Sequence, residues 1–166
     1  MDKKQRRQRQ EDFNSDFEEK VLYINRCATV VKGGRRFSFS ALVVVGDGQG
    51  HIGVGFAKAN EVSDAIRKGG EAARKNIVTF EMEGTSIPHE VKVSWDGSTV
   101  FLKPAKPGTG VIAGSKVRSV LELGGIKDII AKIYGSNSPL NQVQAIVRAL
   151  TSLKNRQRTL AARGVV

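Results

Sequence analysis

Cysteine and histidine, on which redox, metal and much acid–base chemistry depend, are nearly missing from this 166-residue sequence: Cys27 stands alone, and His51 and His89 are the two histidines. A single thiol closes no intrachain disulfide, and so sparse a use of cysteine fits a reducing compartment, so a cytoplasmic location is expected. Neither histidine has a cysteine or a paired carboxylate at ligand spacing, and both lie in strand-like contexts. No metal centre, cofactor or nucleophile–base pair is therefore expected, and the chain does not read as an enzyme. Asp47 lies in a turn, where local hydrogen bonding of its side chain accounts for it. Long apolar runs are also lacking. The clusters are as short as Ala41–Val45, against the ~18–20 residues of a membrane span, so no membrane partner is expected. Met1–Gln10 is polar and basic with no apolar stretch after it, so no secretory signal is expected, and the acids Glu11, Asp12, Asp16, Glu18 and Glu19 argue against a transit peptide.

Acidic residues are in short supply as well. Asp+Glu number 16 against 27 Lys+Arg, for a net charge of +11. Such an excess speaks of partners rather than of fold, and makes a polyanion the leading partner class. The positive charge is spread out. Residues 1–20 carry six charges of each sign, 21–83 a net +3, 84–153 a net +4, and 154–166 four cations with no acid. A chain that is basic along its length suits embedding in RNA better than docking at one groove.

What the sequence has in plenty is glycine, 18 residues, together with enough hydrophobic residues (40%) to build a core. Residues 1–20 lack periodicity and read as a disordered tail. Val21–Val31 reads as a strand, with Leu22, Ile24, Ala28 and Val30 on one face and Tyr23, Asn25 and Cys27 on the other. After the Lys32–Arg36 turn, Phe37–Val45 places Phe37, Phe39, Ala41, Val43 and Val45 together. Gly46–Gly50 is a turn, and His51–Lys58 a third strand in which Gly53 and Gly55 require a close approach or a bulge. Glu61–Phe80 has a helical period, with Gly69-Gly70 read as close packing against the sheet. This module is β-β-β-α, and a domain boundary is placed at residues 81–84.

Beyond it, Thr85–Val93 and Ser98–Lys103 read as strands and residues 104–110 as an irregular loop. Ser115 is expected to cap a helix that Gly124-Gly125 ends, Ile126–Tyr134 reads as a further strand, and Ser138-Pro139 starts a last helix. The fold class is α+β, divided into a tail (1–20), an N-terminal domain (21–83), a C-terminal domain (84–153) and a basic C-terminal tail (154–166).

Among candidate sites, Lys32-Gly33-Gly34-Arg35-Arg36 is the sharpest. Its glycines let backbone approach a phosphate closely, and its cations supply two forked donors and a point charge. Asn25 and Arg26, a polar pair interrupting a strand, strengthen it. Phe37 and Phe39 are candidates for base stacking, but the face they share with Ala41, Val43 and Val45 places them in the core. The Gly108-Thr109-Gly110…Gly114-Ser115-Lys116 stretch fits neither a dinucleotide fingerprint nor a P-loop, since Ser115 precedes Lys116. A glycine-rich loop feeding a helix N-terminus can still hold an anion.

Several blocks together carry a resemblance. Ile24-Asn25-Arg26, Val31–Phe39, Val44–Gly48, Gly53-Val54-Gly55, Lys58-Ala59 and Ala65–Lys68 closely resemble the N-terminal half of the family of bacterial small-subunit ribosomal protein number five. Lys103-Pro104-Ala105, Pro107–Gly114, Val117-Arg118, Val120-Leu121-Glu122 and Gly135-Ser136 continue it, so that it covers about residues 20–153. The resemblance implies an N-terminal domain similar to a double-stranded-RNA-binding domain and a C-terminal α+β domain of a kind shared with small-molecule kinases. It implies a structural protein of the small ribosomal subunit that binds its rRNA, supports assembly and affects translational accuracy. Asn25, Arg26, Lys32, Gly33, Gly34, Arg35, Arg36, Phe37, Ser38, Lys58, Arg67 and Lys68 would then contact rRNA. Gly108, Thr109, Gly110 and Arg118 would meet ribosomal protein number four, the C-terminal domain would also touch protein number eight, and the protein would line the side where mRNA enters. No small-molecule substrate is implied. A free-standing double-stranded-RNA-binding module and a small-molecule kinase relative remain the alternative readings.

Overall fold

The computed structural model describes residues 17–164; of the expected tail over residues 1–20, residues 1–16 lie outside the described residues and Phe17–Lys20 lead into the first strand. The chain is a two-domain α+β protein. Four antiparallel strands lie side by side in chain order: β1 (Glu18–Val31), β2 (Gly34–Gly46), β3 (His51–Ala59) and β4 (Ile77–Thr79). Helix α1 (Val62–Lys75) crosses one face. The second sheet is mixed, in the order β5 (Val91–Trp95), β6 (Ser98–Pro104), β8 (Ile129–Gly135), β7 (Val111–Ile112), with β7 parallel to β8. Helices α2 (Ser115–Leu123) and α3 (Pro139–Thr151) accompany it, and a short α4 (Arg156–Ala162) follows in the basic C-terminal segment.

Alternation along β2 buries both of its faces. Ala41, Val43 and Val45 meet Ala65 and Ala73 of α1, while Leu42 and Val44 point the other way. Close approach of α1 needs glycine. A Cβ at Gly55 would strike the Gly69 carbonyl and come within 2.5 Å of the Ala73 nitrogen, and one at Gly69 would come within 2.8 Å of Val43 Cγ2. The reading of Gly53, Gly55 and Gly69 as contact positions therefore holds, while Gly70 faces the end of the Glu19 side chain rather than the sheet itself.

The opposite face of β2 carries the second domain. Leu42, Val44, Ile52 and Val54 form one continuous core with Val100, Leu102, Val117, Leu121, Ile129, Val143 and Ile146. The Gly46–Gly50 turn seals this junction, its Gly48 and Gly50 amides donating to the Leu123 and Gly124 carbonyls at 2.9 and 3.1 Å.

Several sequence expectations are corrected. The first strand starts at Glu18 rather than Val21, with Phe17 buried against Val45 and Ala73. A bulge between Val21 and Tyr23 inserts one residue, so Leu22 packs toward the inter-domain core while Ile24 pairs with Ala41 on the α1 side. The expected shared face of Leu22 and Ile24 is thereby split. Helix α1 stops at Lys75 rather than Phe80, because the β-branched run Ile77-Val78-Thr79 finds the open edge of β3. The first domain is thus β-β-β-α-β. In the Thr85–Val93 segment only Val91 onward is strand, since Pro88 has no N–H to donate and Ser86 is engaged as a side-chain staple. The strand expected from Ile126 begins at Ile129, after the Lys127 and Asp128 amides have turned to the Thr85 carbonyl. Ser115 is the first residue of α2, not its cap; Gly114 takes the cap position. Ser138 does cap α3 by position, with Pro139 next, but its hydroxyl makes no capping bond. Gly125, at φ +89°, ends α2 where expected.

Candidate nucleic-acid interface

The β1–β2 hairpin is longer than the core beneath it. From Tyr23 to Phe37 nearly every residue is exposed, with Val30 at 78%. Hydrogen bonding between two strands holds this arm in register, pairing Arg26 with Phe39, Thr29 with Arg36 and Val30 with Arg35. Gly34, at φ +143°, makes the reversal, and neither Gly33 nor Gly34 has another atom within 4 Å of the place a Cβ would take. The loop tip is open to an approaching partner.

From Lys20 to Gly46 the sequence contains no acidic residue. Lys32, Arg35, Arg36 and Lys58 are exposed and make no ion pair among the described residues. Unpaired guanidinium groups in water keep their full capacity for phosphate. Arg26 instead lies flat over the Phe37 ring, 3.6 Å from its centroid, which fixes the guanidinium plane. Phe37 is itself 45% exposed, so the expectation that it belongs to the core is corrected. The strand runs on past the region that α1 covers, and alternation alone cannot show where cover ends. Phe39 is half-buried. On the side away from α1, Arg36, Ser38 and Lys58 line a groove with Thr29 and Asn60. Asn25 pairs with Ser40 on that same side, one ladder step from Cys27, which is half-buried and 3.7 Å from the Ser40 hydroxyl.

Two expected contacts lie apart from this arm. Arg67 and Lys68 sit on the exposed surface of α1. Arg67 is held by Asp64 at 3.4 Å and Glu71 at 2.9 Å, so its charge is partly neutralised within the helix, whereas Lys68 is unpaired.

The residues expected at a protein interface occupy the second domain. Gly108 and Gly110 have φ of +88° and +78°, and Thr109 closes a turn on the Lys106 carbonyl through both its amide and its hydroxyl. Arg118 is exposed in the second turn of α2, its guanidinium without an ion pair among the described residues. No hydrogen bond joins it to the loop.

Sequence reasoning missed what holds that loop. Asp128, 5% exposed, accepts the Gly110 amide at 2.9 Å. The Gly110 amide, then the Thr85 hydroxyl, hold its carboxyl below the usual carboxylate range; burial acts the other way, and the Gly108 and Thr109 amides add to the lowering. Nothing local signals this role, since Asp128 lies 18 residues from the group it anchors. Among the described residues no group of His, Cys, Asp and Glu is placed to hold a metal ion, and no helix is long and apolar enough to cross a membrane.

Comparison with known proteins decides between a lone RNA-binding module and something larger. The model for "Ribosomal protein S5, N-terminal domain" matches residues 17–81, and that for "Ribosomal protein S5, C-terminal domain" matches residues 93–163. The chain belongs to the ribosomal protein S5 family. It is similar to the small ribosomal subunit protein uS5 of Protochlamydia amoebophila, 65% identical over 93% of each chain. The uS5 proteins of Chlamydia abortus and Chlamydia trachomatis serovar D are 64% and 60% identical, over 89% and 90% of this chain and 90% and 91% of theirs. These S5 relatives are named for a subunit, not for a reaction. The matched regions include the hairpin and the Gly108–Gly110 loop.

Proposed function

We propose that this protein is a structural constituent of the small ribosomal subunit that binds small-subunit rRNA, supports subunit assembly and influences translational accuracy. It performs no chemistry and takes no small-molecule substrate. The observation that carries the rRNA reading is the exposed Tyr23–Phe37 arm, within the acid-free stretch of residues 20–46, whose cations and bare glycine tip extend past the core. Lys32, Arg35, Arg36 and Lys58 neutralise phosphates, releasing counterions, while Gly33 and Gly34 let the backbone enter a tight RNA site. Asn25, Ser38 and the stacked Arg26–Phe37 pair add polar and planar contacts along the arm, and Arg67 and Lys68 reach neighbouring backbone.

Residues 21–83 form the rRNA-binding unit and residues 84–153 the unit that meets other proteins, by family resemblance ribosomal proteins number four and number eight, on the side where mRNA enters. The protein works in the cytoplasm, within the subunit. The rigid Gly108–Gly110 turn, anchored by Asp128, and the unpaired Arg118 suit a protein contact that must slip when the subunit changes conformation.

Filter-binding titration of a small-subunit rRNA fragment tests the arm. Arg35→Ala lowers affinity and reduces the slope of log affinity against log salt by about 1. An unchanged slope and affinity would remove the arm from the interface. For the second unit, Arg118→Ala raises misreading in a reporter strain while rRNA affinity stays within about twofold, because Arg118 belongs to the other domain from the Lys32–Arg36 tip. Parental misreading would exclude Arg118 from the accuracy contact.

A further inference from the structure

Strands β5 to β8 contain no aspartate or glutamate, and their sheet has one buried and one open face. Val100, Leu102 and Ile129 point into the core. The residues that alternate with them point outward, and no described helix covers them: Lys92, Lys103 and Lys132 are exposed, Tyr134 is 52% and Ile130 39% exposed, and Phe101 is half-buried. Register places these side chains in an ordered array. Lys132 and Lys92 flank Phe101 directly across the ladders, Lys103 lies opposite Ile130, and Tyr134 lies one diagonal from Phe101. None of the three lysines makes an ion pair among the described residues.

We propose that this open sheet face is a binding platform for single-stranded RNA, in which Tyr134 and Phe101 stack bases and Lys92, Lys103 and Lys132 pair with the phosphates between them. Three properties favour that occupant. Charge within the strands of this face has one sign, complementary to a polyanion, with Glu90 at its margin just before β5. Rings and cations alternate over a few ångströms, the pattern that lets a sheet hold successive bases while its lysines follow the backbone. Duplex RNA keeps its bases stacked internally and would leave the rings unused. An acidic protein segment would answer the lysines but has no such use for two adjacent rings. This face lies on the other domain from the β1–β2 arm, so the inference stands independently of that assignment.

Fluorescence anisotropy of the full chain with a short labelled oligouridylate tests the platform, and Trp95 fluorescence on heating verifies that each variant is folded. Tyr134→Ala is expected to weaken binding about tenfold. The triple change Lys92→Gln, Lys103→Gln, Lys132→Gln is expected to lower the salt slope by about 2. In an Arg35→Gln, Arg36→Gln background Tyr134→Ala still weakens oligouridylate binding about tenfold, which separates this face from the arm. The proposal is overturned if the parent chain does not bind the oligomer, if Tyr134→Ala binds it as the parent does, or if the arm variant alone abolishes binding. Polyglutamate displacing the oligomer at equal chain length and concentration would also overturn it, by showing a site for acidic polypeptide.

Discussion

Asp47 is pulled in two directions. Burial pushes its carboxyl up, but the Gln49 amide at 2.8 Å, the His51 ring at 2.5 Å and the His51 amide at 3.2 Å together hold it below the ordinary value of 3.8. An ionised carboxylate only accepts, so the His51 Nδ1 carries the shared proton. A folded-state pKa below the unfolded one means that Asp47 stabilises the protein above about pH 4, and that this contribution disappears as acid protonates the folded carboxyl. Asp47→Asn is therefore expected to lose about 1–2 kcal/mol at neutral pH, with the gap to the parent closing below about pH 4. Urea titrations at both pH values check this; a gap that stayed constant down to pH 3 would contradict it. The consequence reaches beyond one residue, because this carboxylate shapes the turn whose Gly48 and Gly50 amides bond to the end of α2.

At the scale of elements, the seating of α1 depends on missing side chains. Gly53 and Gly55 on β3 face the helix backbone, and Gly69 on the helix faces β2. Two mid-helix glycines are costly for an isolated helix, at ~1 kcal/mol each; at Gly69 the sheet lies too near for anything larger, whereas at Gly70 only the flexible end of the Glu19 side chain stands in the way. Gly55→Ala would put a methyl group into the Gly69 carbonyl, where backbone rather than a flexible side chain must move. A loss of at least about 2 kcal/mol in stability is expected, measured by denaturant unfolding, and Gly33→Ala at the open hairpin tip should cost far less. Equal effects of the two changes would disprove the packing account. The arm follows the opposite rule. It extends past its core with its polar and apolar residues alike in water, and its shape rests on the β ladder and the Gly34 turn.

For the whole molecule, the deciding feature is that one core serves both domains. Leu42, 2% exposed, belongs by sequence to the first domain and by contact to the cluster of the second. Leu42→Ala is expected to cost about 2–5 kcal/mol and to lower the unfolding midpoint seen by Trp95, the sole tryptophan, which lies in β5 of the other domain. A Trp95 transition that stayed at the parental midpoint while circular dichroism shifted would show two independently unfolding domains. Continuity of the core also gives the candidate sites a fixed relation: a rigid joint connects the arm to α2 and the Gly108–Gly110 loop.

Local chemistry was enough to set the charge balance, the α+β class and the Lys32–Arg36 turn, because each depends on residue type or on periods of two and 3.6. The same local patterns located the glycines of β3 and α1 as points of close approach. Tertiary structure alone decided the rest. A one-residue bulge reversed Leu22 relative to Ile24, a free sheet edge turned Ile77–Thr79 from helix to strand, and the arm's reach beyond α1 left Phe37 in solvent beneath Arg26. Asp128 came to hold Gly110, and the Gly46–Gly50 turn came to join two domains. These outcomes depend on which surfaces meet across distant parts of the chain, and alternation along a single strand carries no information about what lies opposite each face.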